Sequence, residues 1–397
     1  MKHCILLIVS IAQIVLLTAC WSSTPIENLN MEVAVALDVA DETVIEKKFD
    51  GKGGDYSKRD RISATYQFIV PQGAVGSKKE GAASRNFYNM TETGDSIFEA
   101  IRELSLRTNR EPIGHHLKVI VIGEKLARST KLSELIDFFS RDNDIRPSVL
   151  VLVSKGKAKD VLNNVLPGQT PAFVLEGIFG NRDRSLRIWD PVTITKIVGP
   201  LRGKKSFLLQ NVIAAENEMK FAGAGIIDGE SGKLSGFLSE KELEGVVWLT
   251  GKGKGGVLKT HKDDTGRLIT YEVKTMSSKI KAVVKEGQIS FHVKIESKGR
   301  YAETFSTDGN RLDAAFMRRD AMELEKEVRE LVETVIDKMQ HELHADIGGF
   351  GKTLRIQHPE AWRKVKAHWD QTFTGLPVHL EVKLQIEEYG ASGTATD

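Results

Sequence analysis

Gly251-Lys252-Gly253-Lys254-Gly255-Gly256 has the spacing G-x-G-x-x-G, the pattern with which a turn between a strand and a helix cradles a dinucleotide pyrophosphate. That chemistry needs the helix to open at the last glycine, so that its free N–H groups face the phosphates. Here a helical pattern precedes the glycines and an apolar run, Val257 to Thr260, follows them, so the segment reads as a mobile basic loop. Gly351-Lys352-Thr353 ends like a phosphate-binding loop, but the glycine required five residues before Gly351 is Asp346, an acid that would repel phosphate. His341 and His344 stand three apart, whereas a zinc-protease helix needs histidines four apart, and that position is Ala345. A solvated helix end suits them, where cationic groups also complement the helix dipole. His115 and His116 are adjacent and in a strand would face opposite ways. Gly232-Lys233-Leu234-Ser235-Gly236 carries its serine one place too late for a nucleophile elbow. Trp362, Val365, Trp369 and Phe373 recur at helical spacing; a core face is favoured over a sugar-stacking or partner-docking one. The expectation is a protein with no catalytic residue, no metal site and no cofactor.

One residue does carry a chemical signature. Leu17-Thr18-Ala19-Cys20 closes an apolar run that begins after Lys2 and His3 and reads as a lipobox, the site of lipidation and cleavage in a bacterial precursor. Cys4 to Leu17 is too short for a spanning helix, which needs roughly 20 apolar residues. On this reading residues 1–19 are a signal peptide, 20–30 a tether, and Cys20 the lipid attachment. Two acyl chains on Cys20 suffice for stable anchoring, at about 0.8 kcal/mol per buried methylene. The other cysteine, Cys4, leaves with the signal peptide, so the mature chain has no free thiol, no disulfide and no cysteine metal ligands.

These positions must be held by a sizeable fold. The 397 residues exceed what one core usually serves, which argues for more than one domain. The 56 basic and 54 acidic side chains nearly cancel, leaving no electrostatic case for nucleic acid. Strand-like runs at 31–39, 62–70, 117–122 and 149–153 alternate with helical ones at 96–106, 124–128, 131–139 and 158–165. Polar, glycine-rich loops are read at 50–61 and 71–85. Ser96 with Glu99, and Ser239 with Glu242, have capping-box spacing; the second opens a helix through Trp248. Residues 207–215 and 219–227 read as a hairpin, and Ile289 to Ile295 and Val378 to Ile386 as half-buried strands. Leu324, Val328, Leu331, Val332, Val335, Ile336, Met339 and Leu343 make an apolar stripe along a helix from about Leu312 to His344. The expected class is α+β, multi-domain, with mixed sheets packed with helices and a long amphipathic helix in the C-terminal domain. The domains fall at 31–200 and 201–397, divided near Pro200, with room for a further split near residue 255. The tail from Gly390 is small and polar.

The ordered set of segments resembles the Ger(x)C family of spore-germination lipoproteins. Cys20-Trp21 resembles the mature start, and Phe98-Glu99-Ala100-Ile101-Arg102-Glu103-Leu104 the first helix. Gly114-His115-His116-Leu117 through Gly123-Glu124-Lys125-Leu126-Ala127 is similar to the family's central block, followed by 137–142 and 154–159. Gly236-Phe237-Leu238 through Glu242, Asp346-Ile347-Gly348-Gly349-Phe350-Gly351, and Pro359-Glu360-Ala361-Trp362 with Trp369 complete the series. Ser22 departs from the aspartate that follows Cys-Trp in the family, and 26–31 from its usual start. The resemblance implies the C subunit of a nutrient germinant receptor, anchored through lipidated Cys20 on the outer face of the inner spore membrane. It implies work in assembly and signalling with integral-membrane A and B subunits, with no cofactor and no catalytic step. Direct binding of a small molecule by this subunit is not part of that implication. The other class consistent with a lipobox is a solute-binding lipoprotein of a transport system.

Overall fold

The computed structural model describes residues 29–54, 59, 61–70, 86–262, 266–304 and 314–388. Cys20, the signal peptide and most of the tether, the 71–85 loop, the start expected for the long helix and the C-terminal tail lie outside these residues. Two mixed sheets, both packed with helices, make the α+β architecture expected from the sequence.

The first sheet has nine strands: β1 (Leu29–Val39), β2 (Ile62–Ile69), β3 (Phe87–Gly94), β4 (Glu111–Ile113), β5 (Val119–Gly123), β6 (Leu150–Ser154), β7 (Phe207–Ala215), β8 (Glu218–Ile227) and β9 (Leu234–Leu238). Their order is β3-β2-β1-β5-β6-β7-β8-β9, with β4 beside β1. The centre, β1-β5-β6-β7, is parallel, and antiparallel strands flank it on both sides. Every residue of β5 and β6 is buried, as a parallel centre covered on both faces requires.

One face is covered by α2 (Ile97–Leu104), α3 (Glu124–Ser129), α4 (Leu132–Arg141) and α7 (Ile194–Arg202). Val35, Leu37, Ile120 and Ile122 point to it and meet Leu104, Leu126, Leu135 and Ile197. The alternate residues Ala34, Ala36, Val119 and Val121 face α5 (Ala158–Asn163) and α6 (Pro171–Ile178) on the other side. The period of two in each strand thus feeds two cores.

The second sheet is β10 (Gly256–His261), β11 (Leu268–Lys285), β12 (Gln288–Thr304) and β13 (Val378–Glu388), in that order, with β13 parallel to β12. The inner face of β12, Phe291, Val293 and Ile295, meets α9 (Ala314–Asp337) through Leu324, Val328, Leu331, Val332 and Val335. The helical path passes into a π turn at Lys338–Glu342, where Met339 continues the stripe. A buried helix, α8 (Glu240–Thr250), joins the two sheets. Its run Leu243 to Leu249 packs in one core with Leu208, Ala224, Ile226 and Leu238 of the first sheet and with the second sheet and α9. The crossing is close: a Cβ on Gly245 would stand 2.5 Å from the Leu331 carbonyl oxygen.

Three local outcomes differ from the sequence reading. Pro200, near which the sequence divides the domains, sits inside α7, and the first sheet runs on past it through β7, β8 and β9. The glycine-rich stretch at 251–256 is packed, not loose. Gly251 (φ 65°) ends α8 in the left-handed region, and a Cβ on Gly255 would stand 2.1 Å from the Asp183 carbonyl oxygen. Finally, a helix α1 (Val44–Asp50) interrupts the stretch after β1. Its buried residue is Glu46, whose carboxylate accepts the N–H of Thr43 and of Thr93, each at 2.7 Å, while Val44, Ile45 and Phe49 are exposed. Such a helix has no inward apolar stripe for periodicity to reveal.

Candidate functional site

Where α7, the β8–β9 turn and the C-terminal helices approach, a cleft of about 1040 Å³ opens at the seam of the two sheets. On the C-terminal side it is built by α10 (Phe350–Gln357), α11 (Pro359–Val365) and α12 (Trp369–Phe373).

The turn before α10 explains the false phosphate-loop ending. Asp346 accepts the backbone N–H groups of Gly349 at 2.7 Å, Phe350 at 3.0 Å and Gly351 at 2.6 Å. A carboxylate from the chain itself therefore occupies the place an anion would take at this helix start. The Trp369 indole N–H donates to the same group at 3.1 Å. Gly351 must be glycine here, since a Cβ would lie 2.6 Å from that indole nitrogen and 3.1 Å from the Trp362 ring. Trp362 and Trp369 lie 5.3 Å apart between ring centres, and Trp369 passes the contact inward to Phe373 and Phe291. The aromatic series does form a core face as expected, Phe373 fully buried, but its two tryptophans also wall the cleft.

The opposite wall comes from the segment before α7, α7 and the residues after it, the β8–β9 turn and Lys252 after α8. Trp189 donates its backbone N–H to the Gln210 side chain at 2.7 Å and carries the Lys252 ammonium 4.6 Å from its ring centre. Burial holds the Lys252 ammonium below the usual lysine range. Asp190 pairs with Arg182 at 3.0 Å and Lys196 at 3.3 Å, and Glu230 with Lys204 at 2.9 Å. Lys205 is also held below its ordinary range, by partial burial and by the neighbouring cations Arg355 and Lys352. Asp370 is pushed up to about 6 by burial and by the carboxylates of Asp346, Asp228 and Glu230.

Of the histidine candidates, His344 lines the cleft, whereas His341, His115 and His116 do not. His341 pairs with Asp337 at 2.9 Å, and the His344 ring meets the Gln340 carbonyl oxygen at 3.0 Å; each serves its own helical turn. His115 reaches Asp144 at 3.3 Å. Among the described residues no group of three or more His, Cys, Asp or Glu side chains is placed to hold a metal ion. Among them, too, no helix is long and apolar enough to cross a membrane. Of the cleft residues, the sequence reading had singled out Trp362, Trp369, Asp346, Lys352, Lys252 and His344, each for another reason. Lys205, Arg355, Asp370 and Trp189 were missed. They belong to segments far apart in the chain and carry no motif.

Fold and cleft together define an α+β protein of two helix-packed sheets, joined through one core, with a charged and aromatic groove at the join. The chain belongs to the GerAC-like family of spore germination proteins. Residues 22–212 match the spore germination protein N-terminal domain, and residues 222–390 match the spore germination B3/GerAC-like C-terminal domain. Spore germination protein YndF of Bacillus subtilis (strain 168) is 40% identical, over 95% of this chain and 94% of that protein. Spore germination protein B3 of the same organism is 30% identical, over 95% of this chain and 96% of its own length. The crystal structure of the GerBC protein superimposes with a TM-score of 0.61 at 29% identity, covering 92% of this chain and all of that one.

Proposed function

We propose that this chain is the lipid-anchored C subunit of a spore nutrient germinant receptor. Cys20 carries the lipid and holds the two sheets on the outer face of the inner spore membrane, where they work in assembly and signalling with integral-membrane A and B subunits. The role is non-catalytic. The observation that carries the reading is the order of the two germination-protein domains along nearly the whole chain, together with the likeness to GerBC over the same extent. Neither points towards a transport lipoprotein.

The test is germination of spores lacking the gene, challenged separately with a panel of nutrients and with dodecylamine. Loss of response to some nutrients with the dodecylamine response intact is expected. A strain deleted for paralogous receptors and complemented with this one removes redundancy. Complemented and uncomplemented spores responding alike to every nutrient would overturn the reading. For the anchor, Cys20→Ala is expected to release the folded protein from the membrane fraction, and retention equal to the parent's would refute it.

A further inference from the structure

We propose that the cleft is a binding site for a small anion bearing at least two negative charges, as carboxylate or phosphate, gripped by Lys205, Lys352 and Arg355 beside the Trp362–Trp369 wall. This goes beyond the receptor reading and does not depend on it.

The argument is one of unmatched charge. Each carboxylate lining the cleft is engaged: Asp190 by Arg182 and Lys196, Glu230 by Lys204, and Asp228 by the Ser231 N–H at 2.7 Å. Asp346 spends its oxygens on three backbone N–H groups and Trp369, and Asp370 is pushed towards its neutral form by burial and the neighbouring carboxylates. The three cations are not engaged: none forms an ion pair or side-chain hydrogen bond with a described residue. Lys352 and Arg355 are three apart on α10 and so share one face of it, while Lys205 comes from the segment after α7 on the other side. Arg355 and Lys352 both act against Lys205's ammonium, Asp346 only partly offsets them, and an anion between the two walls would relieve the remaining repulsion. All three side chains are open to solvent, so the ligand has access. A concave site at a domain seam, with two indole rings and a few convergent charges, has the make-up of a small-molecule site. The volume of about 1040 Å³ admits one.

The test uses the full chain in a nonionic detergent at constant ionic strength, titrated in separate arms with citrate and with inorganic phosphate. Tryptophan fluorescence and calorimetry are the readouts. Saturable binding at one site is expected in at least one arm, and the arm that binds distinguishes carboxylate from phosphate. Lys352→Gln with Arg355→Gln is expected to weaken that binding at least tenfold. Lys364→Gln, on α11 but outside the cleft lining, leaves it unchanged. If the double variant loses its circular dichroism, Lys205→Gln takes its place with the same expectation. No saturation in either arm, or equal affinity in a folded cleft variant, overturns the proposal.

Discussion

Asp38 fills the space that a side chain on Gly123 would need: a Cβ there would lie 2.1 Å from its Oδ1. The two residues end adjacent parallel strands, β1 and β5. From that position Asp38 accepts the N–H of Ala158 at 2.8 Å and of Lys159 at 2.9 Å, fixing the start of α5. Asp41 adds pairs with Lys157 at 2.6 Å and Lys159 at 3.4 Å. Two blocks of the family resemblance, Gly123-Glu124 and Ser154 to Lys159, are thus parts of one structural lock, tied also by the Glu124 N–H on the Gly156 carbonyl oxygen at 3.2 Å.

Gly123→Ala is therefore expected to destabilise the fold by about 1–3 kcal/mol, the range of an overpacked buried site. Asp38→Ala alone loses two hydrogen bonds to a carboxylate, about 2–3 kcal/mol. The double variant has room for the new methyl, so its cost should fall short of the sum by about 1 kcal/mol or more. Denaturant melts of the four proteins measure this; strict additivity would mean that the two residues do not share the space.

Glu32 is buried in β1 at an irregularity of its register with β2, and burial, then Asp142, pushes its carboxyl up to about 8. Its ordinary value, 4.5, lies below the folded one. Its protonated form is thus favoured by folding, and stability is lost as pH rises from about 4.5 towards 8. Glu32→Gln removes this loss. The variant should gain on the parent by on the order of 3 kcal/mol between pH 5 and pH 8. Thermal melts across that range check it, and parallel curves for both proteins would contradict it.

Asp346→Ala strips the start of α10 of its acceptor and leaves the Trp369 indole without its partner. A cost of about 2–3 kcal/mol is expected from a lost charged cap. Trp369 emission should shift to the red as the ring loosens, a change that general destabilisation below the melting range would not produce. Asp346→Asn keeps one acceptor oxygen and should lie between the two.

Asp320 on α9 receives Arg267 at 2.5 Å and the Tyr301 hydroxyl at 3.0 Å, in a site where the aspartate is almost wholly buried. Asp320→Ala should cost about 3–5 kcal/mol, because it removes a buried carboxylate that holds both the largely buried Arg267 guanidinium and the Tyr301 hydroxyl. The matched Asp320→Leu/Arg267→Met variant should recover much of that loss. Chemical denaturation of the set decides it.

Much of the fold was legible because its signals are local. Ser239 and Glu242 close a full capping box at the head of α8, with hydrogen bonds of 2.6 and 3.2 Å. Ser96 caps α2 through the Glu99 N–H at 3.1 Å, although the Glu99 carboxylate takes Asp95 rather than Ser96. The stripe from Leu324 to Met339 and the alternation of β12 fall where their periods place them. The helix α1 was not legible, since its inward group is a glutamate. Nor was the packing at 251–256: small residues in a row look alike whether they are loose or pressed against another backbone.

By itself the sequence determined the capped starts of α2 and α8, the inward stripe of α9 and the alternation of β12, and that 251–256 and 351–353 are not phosphate loops. Those properties depend on neighbours within a few residues, whose spacing is written in the chain. Only the tertiary structure decided that Lys205, from one segment, would stand opposed to Lys352 and Arg355 from another. It likewise decided that Asp346 would spend its charge on α10, and that α8 would carry one core across both sheets. Unmatched charge and close backbone approach are relations between distant segments. They exist only once the sheets have closed on each other and brought those segments together.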